Sequence, residues 1–412
     1  MVRPQTPMGV DRPRLRRAGA VLTALCAIAT TVVAGPAHAV GPGGPCALPR
    51  SQAHHSEGLD TWNPAYPRPV GHLDAVMIFL SFPDSKPEVS PERLAADHFP
   101  ATSRFFERAS YGRFQLEAHP LKKWLRMPRS ATSYHIQRDW DGDQRSEFLR
   151  DAIAVSDADV DFSRYDLVYF VADPDAPGVD SDATKVVNLD HPVQVDGTTL
   201  RRVVTVFEHH PPDRNVLAHE TGHVLDLPDL YHRPQDGKGD WDTHVGDWDL
   251  MGSQFGLASD PFGWHKWKLG WLGSRQVTCV RGRGSSLHTL QPLEAPMKPG
   301  GDNRTRMVVV RTGPASAIAV EARSASGNDA ATCTEGVLVY RVRSDTASGS
   351  GPVQVLDGHP GHQACWGESV YPALADAPLG VGESLRSEAD GVRVSVRGRT
   401  AGGSWTVAVT RE

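Results

Sequence analysis

The amino-acid sequence predicts a mixed α/β (α+β) domain followed by an all-β, sandwich-like domain. In the first half, short continuous apolar runs bounded by turn residues predict buried strands. These runs lie at 74–82, 167–172 and 200–207. From about Ser274 the pattern changes to short strands split by Gly, Ser and Asp, and Val392–Arg397 alternates strictly between apolar and polar residues. Such alternation is typical of a strand with one buried and one solvated face, as in a β-sandwich.

Helices and further strands fill the remaining sequence. Ser90-Pro91-Glu92 predicts the start of a helix towards Phe99, since Ser is a favoured cap and Pro is accepted at the first helical position. A second helix is predicted at 102–109, a strand at 114–126 and a third helix through 150–155. The predicted strands of the second half are 307–311, 317–323, 337–342, 391–397 and 405–409.

The N-terminal segment Met1–Ala39 reads as a signal peptide. The stretch Ala18–Ala34 is uncharged and mostly apolar, and it follows the basic region of Arg12, Arg14, Arg16 and Arg17. Ala37-His38-Ala39 fits a cleavage site. A membrane span needs about 20 apolar residues, and no later stretch is long and apolar enough. We therefore expect a secreted, extracellular protein without a membrane span in the mature chain. The predicted parts are a signal peptide at 1–39, an N-terminal arm or short pro-segment at 40–70, a first domain at 71–273 and a second at 274–412.

Composition and cysteine content narrow the protein class. The chain has 412 residues, enough for two domains, and its net charge of -6 gives no indication of nucleic-acid binding. Removal of the signal peptide leaves Cys46, Cys279, Cys333 and Cys365, which allow two disulfides in three connectivities. We favour Cys333–Cys365 with Cys46–Cys279. The alternative is a free Cys46 thiolate that could bind a metal ion in a latent precursor.

The segment N-V-L-A-H-E-T-G-H-V-L-D-L-P-D-L-Y, Asn215–Tyr231, contains His219-Glu220-x-x-His223. Residues four apart lie one turn apart on one helix face, so two imidazoles can bind one Zn²⁺ at about 2.0–2.1 Å each. Zinc lowers the pKa of a bound water towards about 7, and Glu220 can accept and pass on its proton. This is the chemistry of peptide hydrolysis, although the same spacing also occurs by chance on helices without function.

The helix itself is predicted from its flanking residues. Asp213 or Asn215 is expected to cap its start, and Pro228 is expected to end it.

A catalytic zinc site needs a third protein ligand and an open position. In thermolysin-like sites that ligand is a downstream Glu, but no Glu lies between Glu220 and Glu294. In metzincins it lies six residues after the second histidine, a position that Asp229 occupies. A carboxylate oxygen binds zinc at about 2.0–2.2 Å. The alternative is that Asp229 is a plain turn residue after Pro228.

Several segments resemble the immune inhibitor A family of secreted metallopeptidases. They are 218–231, Gly246–Ser253 (G-D-W-D-L-M-G-S) and Trp264–Leu272 (W-H-K-W-K-L-G-W-L). Two upstream segments, 105–112 and 76–80, look similar too. The resemblance covers roughly Leu73–Leu272.

This resemblance implies a metzincin-like zinc endopeptidase. His219, His223 and Asp229 would be the zinc ligands, Glu220 the general base, and Met251 the methionine turn beneath the metal. The strand before the active helix would form the rim of the substrate cleft.

Two positions depart from the family pattern. Asp226 stands where the family has Gly; Asp tolerates a left-handed conformation, so the turn could persist, but its carboxylate could also compete for the metal. Ser253 stands where some metzincins place a Tyr that polarises the substrate carbonyl. Tyr231 and His244 are alternative candidates for that role.

A carboxylate-dense segment suggests a calcium site. Asp139, Asp141, Asp143 and Glu147 lie close together in the sequence, and Ca²⁺ is bound by six to eight oxygens. The alternative is an acidic helix N-terminus.

The sequence thus predicts a secreted zinc endopeptidase that acts on protein or peptide substrates. Two alternatives are a surface-binding protein with an inactive peptidase-like domain, and a zinc hydrolase of non-protein amides.

Overall fold

A computed structural model of the chain describes residues 44–234, 236–298 and 302–412, without the side chain of Asp190. The predicted signal peptide at 1–39 lies outside the described residues, as do the first residues of the predicted arm. Within the described ranges, no helix combines the length and the apolar character that a bilayer crossing requires.

The first half of the chain builds one five-stranded sheet. Its strands are β1 (Gly71–Ser81), β2 (Phe114–Arg126), β3 (Leu167–Ala172), β4 (Lys185–Val195) and β5 (Thr198–Val206). Their order is β2-β1-β3-β5-β4, with all neighbours parallel except β4, which runs antiparallel to β5. The four strands predicted in this half are therefore present.

We predicted that the strand before the active helix forms the rim of the substrate cleft. The position of that strand in the sheet contradicts this prediction. That strand, β5, lies inside the sheet, and the edge strand is β4. The sequence K-V-V-N-L-D-H-P-V-Q-V of β4 carries polar residues and Pro192. Proline is confined to edges and bulges of sheets, and the pairing of β4 with β5 shifts register between Asn188 and Val193. The polar residues and Pro192 interrupt any apolar run in this segment, so the strand was not predicted.

Five helices cover the two faces of this sheet: α1 (Pro91–His98), α2 (Ala101–Ala109), α3 (Gly142–Ser156), α4 (Val216–Val224) and α5 (Gly263–Lys268). Along β1, alternate side chains enter two different hydrophobic clusters: Met77 packs with residues of α1, α2, α4 and α5, and Ile78 packs with residues of α3. Burial of both faces explains why the β1 sequence is a continuous apolar run.

The second half consists of strands: β6 (Val277–Val280), β7 (Gly284–Leu290), β8 (Met307–Arg311), β9 (Ser316–Arg323), β10 (Gly336–Arg343), β11 (Val353–Val355), β12 (Ser384–Ser387), β13 (Val392–Arg399) and β14 (Trp405–Arg411). They form two sheets, β11-β10-β9-β8-β6 and β12-β13-β14-β7. The two sheets share one hydrophobic cluster, to which Val308 and Val407 belong.

The two halves also share a core. The opposite face of the β8–β10 sheet, with Val309 and Tyr340, belongs to the same cluster as Trp248, Trp264 and Trp271. Residues 44–412 accordingly fall into one compact unit. The division between residues 273 and 274 stays a prediction about sequence pattern.

Both favoured disulfides are confirmed. Cys46 pairs with Cys279 and Cys333 with Cys365, with Cα–Cα distances of 5.6 and 6.0 Å. Because Cys46 is oxidised, the hypothesis of a Cys46 thiolate on the metal is wrong.

Candidate metal centre

The His219-Glu220-x-x-His223 motif lies on α4, but this helix begins differently from the prediction. Asn215 precedes the helix with a left-handed φ of 61° and makes no side-chain cap. Its Nδ2 instead donates to the carbonyl of Gln254 at 3.3 Å. Asp213 contributes its backbone carbonyl, which accepts from the Val216 amide at 3.4 Å. The prediction of a side-chain cap is therefore wrong.

The C-terminus of α4 is set by a turn and not by Pro228. The Leu227 amide donates to Gly222 O at 3.0 Å, and the Asp226 amide donates to His223 O at 3.1 Å. This pair of bonds is a Schellman motif, which needs a left-handed residue directly after the helix. Asp226 takes that position with φ 69°. The turn persists with Asp in place of Gly, and it redirects the chain before Pro228.

That turn brings the three predicted ligands together. The Nε2 atoms of His219 and His223 lie 3.2 and 3.0 Å from Oδ1 of Asp229. Their candidate ligand atoms all lie within 4.8 Å of one another, and the two histidines are buried. The convergence arises because α4 presents both imidazoles on one face while the chain beyond Asp226 folds back towards them.

Backbone carbonyls fix the orientation of both rings. His219 Nδ1 lies 2.9 Å from Leu250 O, and His223 Nδ1 lies 2.8 Å from Leu227 O. A carbonyl can only accept, so each Nδ1 carries a proton and donates. In neutral imidazole this leaves Nε2 with a lone pair that points at the shared site. Metal-binding histidines in proteins have this arrangement.

The charges within the site favour a cation. Burial alone would raise the pKa of the Asp229 carboxyl, but His223 and His219 hold it well below its usual range. Burial likewise works against protonated imidazole, yet Asp229 more than offsets it and raises the pKa of His223 to about 9. The carboxylate therefore attracts positive charge to the point where the three donor atoms meet.

Glu220 lies next to this donor set without belonging to it. Its Oε2 accepts a hydrogen bond from the Val186 amide of β4 at 2.5 Å. Burial raises the pKa of the Glu220 carboxyl, more than His223, His219 and the amide lower it. A buried carboxylate with a raised pKa, held outside the ligand set, is suited to accept a proton.

Met251 packs beneath the helix where the resemblance places the methionine turn. A Cβ atom at position 222 would lie 2.5 Å from Met251 Sδ, so any larger residue there would displace the Met251 side chain. The Met251 carbonyl accepts from the Leu230 amide at 2.9 Å, and the preceding carbonyl, of Leu250, holds His219. This turn thus supports the helix and the segment that carries the third donor.

Asp226 does not compete for the metal. Its carboxylate contacts Arg50 Nη2 at 2.7 Å and His55 Nδ1 at 3.2 Å, and its backbone carbonyl accepts from Lys268 Nζ at 2.6 Å. Burial raises the pKa of the Asp226 carboxyl, but Lys268, His55 and Arg50 together hold it below its usual value. The alternative of Asp226 as a ligand is therefore wrong.

One supporting residue was missed entirely. Ser348, in the loop between β10 and β11, accepts from the Asp229 amide at 2.9 Å and donates to Asp229 Oδ2 at 3.1 Å. The Gly349 amide also donates to Asp229 O at 3.1 Å. Ser348 lies 119 residues beyond Asp229, and no local pattern marks it.

The candidates for polarising a substrate carbonyl differ in their surroundings. Tyr231 packs against the Trp241 ring at 5.3 Å, and burial followed by the Asp229 charge raises its pKa. His244 stacks on His232 at 4.5 Å. Ser253 accepts from the Phe255 amide within a turn. Of the three, Tyr231 is the one whose pKa responds to the charge of Asp229.

In two other clusters of charged residues, the side chains already pair with protein groups. His72, Asp74 and Glu117 form an exposed group in which Asp74 Oδ1 already lies 2.6 Å from His119 Nε2. In the predicted calcium segment, Asp141 caps α3 and accepts from the Asp143 and Gln144 amides. Glu147 there pairs with Arg129 at 2.8 Å. This is the contact pattern of the acidic helix N-terminus that was the alternative to calcium.

The sequence matches none of the protein-family models and none of the curated proteins with which it was compared. Tetrahedral zinc bonds of about 2.0–2.2 Å place ligand atoms about 3.3–3.5 Å apart, close to the 3.0 and 3.2 Å between Asp229 and the two imidazoles. Two imidazoles and one carboxylate are also a common ligand set of catalytic zinc. The residues fit this metal.

Proposed function

We propose that the protein is a secreted zinc-dependent endopeptidase of the metzincin type, resembling the immune inhibitor A family. One observation carries the proposal. The donor atoms of His219, His223 and Asp229 converge on one point, and Glu220 lies beside this group without belonging to it, so its carboxylate can act as a proton acceptor. A structural zinc site would have a fourth protein ligand, whereas a catalytic site has three and leaves the fourth position open.

The protein residues have distinct tasks in this proposal. Zinc, when bound, supplies a Lewis acid that acidifies water and polarises a carbonyl. Glu220 accepts the proton of the attacking water and returns it to the leaving amine. Its raised pKa suits both transfers, because a carboxylate of ordinary acidity would hold the proton too weakly. The Val186 amide keeps Oε2 in place at 2.5 Å.

Strand β4 is the favoured contact for an extended substrate. It is an edge strand of the sheet, and its Val186 amide touches Glu220. An edge strand offers unpaired backbone groups to a peptide that adds as a further strand. This favours peptide substrates bound in extended conformation over compact non-protein amides.

The test combines zinc analysis with cleavage-site profiling on a peptide library. We expect one zinc per chain at the described site, cleavage of internal peptide bonds, loss of cleavage with a chelator and its return with zinc. A double variant, His72→Ala with His119→Ala, should behave the same and removes the exposed cluster as a source of bound zinc.

Other results would support the alternatives. Zinc binding without cleavage of any peptide would indicate a surface-binding protein. Cleavage restricted to non-protein amides would indicate a different zinc hydrolase. A protein that binds no zinc would contradict the proposal.

A further inference from the structure

The segment before β1, residues 44–70, is tied into the protein at many points. We refer to this segment as the N-terminal arm. It includes fully buried residues, among them Leu48 and Glu57, and the Cys46–Cys279 disulfide attaches it to β6. Two buried indoles donate to its carbonyls: Trp264 to Glu57 O at 3.0 Å and Trp271 to Pro69 O at 2.8 Å.

A first line of contacts leads from the arm to His219. Glu57 Oε1 lies 2.8 Å from His265 Nε2, and His265 Nδ1 lies 2.9 Å from Asp249 Oδ2. The other oxygen of Asp249 accepts from the Met251 amide at 2.8 Å, which fixes the turn whose Leu250 carbonyl holds His219. All three side chains of this relay are fully buried.

A second line leads to the turn after His223. Arg50 and His55 of the arm both contact the Asp226 carboxylate. Lys268 Nζ bridges the two segments, since it donates to Ser56 O at 2.8 Å and to Asp226 O at 2.6 Å. Asp226, the left-handed residue that ends α4, therefore contacts three side chains, and two of them come from the arm.

A third line leads to Asp229. The arm's His54 carbonyl accepts from the amide of Ser348, the residue that bonds both the amide and the carboxylate of Asp229. Ser51 and Ser56 of the arm each donate to Ser344 O at 2.5 Å at the start of the same loop. The arm thus supports the loop that positions the third donor.

We infer that the N-terminal arm stays in the active protein as a structural part of the metal centre and is not a pro-segment removed on activation. The inference rests on the proposed zinc function, since it names what positions the zinc ligands. Loss of the arm would take buried partners away from the indoles of Trp264 and Trp271, the Lys268 ammonium and His265. Each unsatisfied buried polar group costs about 1–3 kcal/mol, and charged groups cost more. A removable segment would not supply partners to so many buried groups beneath the site.

Intact mass of the active protein tests the inference directly. The chain is expressed in a secreting host, and the fraction that binds zinc and cleaves peptide is analysed by mass spectrometry before and after reduction. We expect its main species to contain residues 44–70 on one continuous chain. An active, zinc-binding species that begins after residue 70 would overturn the inference.

A pair of substitutions tests the positioning role without removing the arm. Glu57→Gln keeps the shape of the side chain and removes the charge beside His265, while Glu88→Gln makes the same change at an exposed position. Zinc affinity is measured by competition with a chelator. Outer partners of metal ligands typically change affinity by about 10–100-fold, so we expect Glu57→Gln to weaken zinc binding by about tenfold and Glu88→Gln to leave it unchanged.

The outcomes separate the two proposals. Equal zinc affinity in Glu57→Gln, Glu88→Gln and wild type would overturn the positioning role of the arm while the zinc function stands. A wild-type protein that retains the arm and binds no zinc would instead contradict the proposed function.

Discussion

Two aspartates three residues apart have opposite roles, and their backbone positions decide which is which. Asp226 is the left-handed residue that ends α4, and its carboxylate points to Arg50 and His55. Asp229 lies after the chain has reversed, and its carboxylate meets the two imidazoles. The spacing from His223 predicted Asp229 as the ligand, but it could not exclude Asp226. The residues that occupy the Asp226 carboxylate lie 176 and 171 positions upstream.

The first prediction at this scale contrasts the two aspartates. Asp229→Ala should weaken zinc binding by more than about a hundredfold, because even outer partners of metal ligands contribute up to that amount. Asp226→Gly should still bind zinc and cleave peptide, since glycine adopts the left-handed conformation freely and Asp226 is outside the group of three donors. Its zinc affinity should fall by no more than about tenfold, the effect of a lost outer support. It should lower the free energy of unfolding by about 3 kcal/mol, because buried cations lose their partner.

Zinc titration and chemical denaturation of both variants check this prediction. Retained zinc in Asp229→Ala together with lost zinc in Asp226→Gly would show that the ligand assignment is wrong.

At the scale of elements, strands were easiest to predict from the sequence where both of their faces are buried. Strands β1 and β3 have both faces buried, so their apolar runs were recognisable. The edge strand β4 has polar residues, a proline and a register shift, and it was missed. The end of α4 was assigned to Pro228 because proline was the visible breaker, whereas hydrogen bonds from Asp226 and Leu227 end the helix earlier.

Helix α5 gives a prediction about pH. Burial lowers the pKa of its His265, but Glu57 and Asp249 raise that pKa to about 10. The folded protein therefore holds this proton more tightly than the unfolded chain, where histidine has a pKa of about 6.5. The resulting stabilisation is complete below about pH 6.5 and is lost as the pH rises through about 10. The loss should amount to about 4 kcal/mol.

Denaturation of the zinc-loaded protein between pH 6 and pH 10 measures this loss, since bound zinc keeps His219 and His223 from titrating. In Glu57→Gln one of the two carboxylates that raise the pKa of His265 is gone. The decline should therefore still begin near pH 6.5, but it should be smaller and end at lower pH than in wild type. If wild type and Glu57→Gln showed the same dependence of stability on pH, the Glu57 carboxylate would not be what raises the pKa of His265.

At the scale of the whole molecule, the candidate metal centre is supported by three distant parts of the chain. Local spacing within Asn215–Tyr231 predicted the three donors and Glu220. Supports from Glu57, His265 and Ser348 are separated from the helix by tens to more than a hundred residues, and no periodicity connects them. The second half contributes a loop whose Ser348 positions Asp229. The even set of cysteines predicted two disulfides, and the favoured connectivity is the one present, although the cysteine count alone does not select it among the three.

The most direct test of the central claim is zinc content and peptide cleavage measured side by side for wild type and Glu220→Gln. Glutamine keeps the size of the side chain but cannot accept the proton, and Glu220 is no ligand. We therefore predict one zinc per chain in both proteins and a loss of cleavage by about a hundredfold to ten-thousandfold in the variant. Full cleavage by Glu220→Gln, or loss of its zinc, would contradict the assignment of Glu220 as the general base of a zinc endopeptidase.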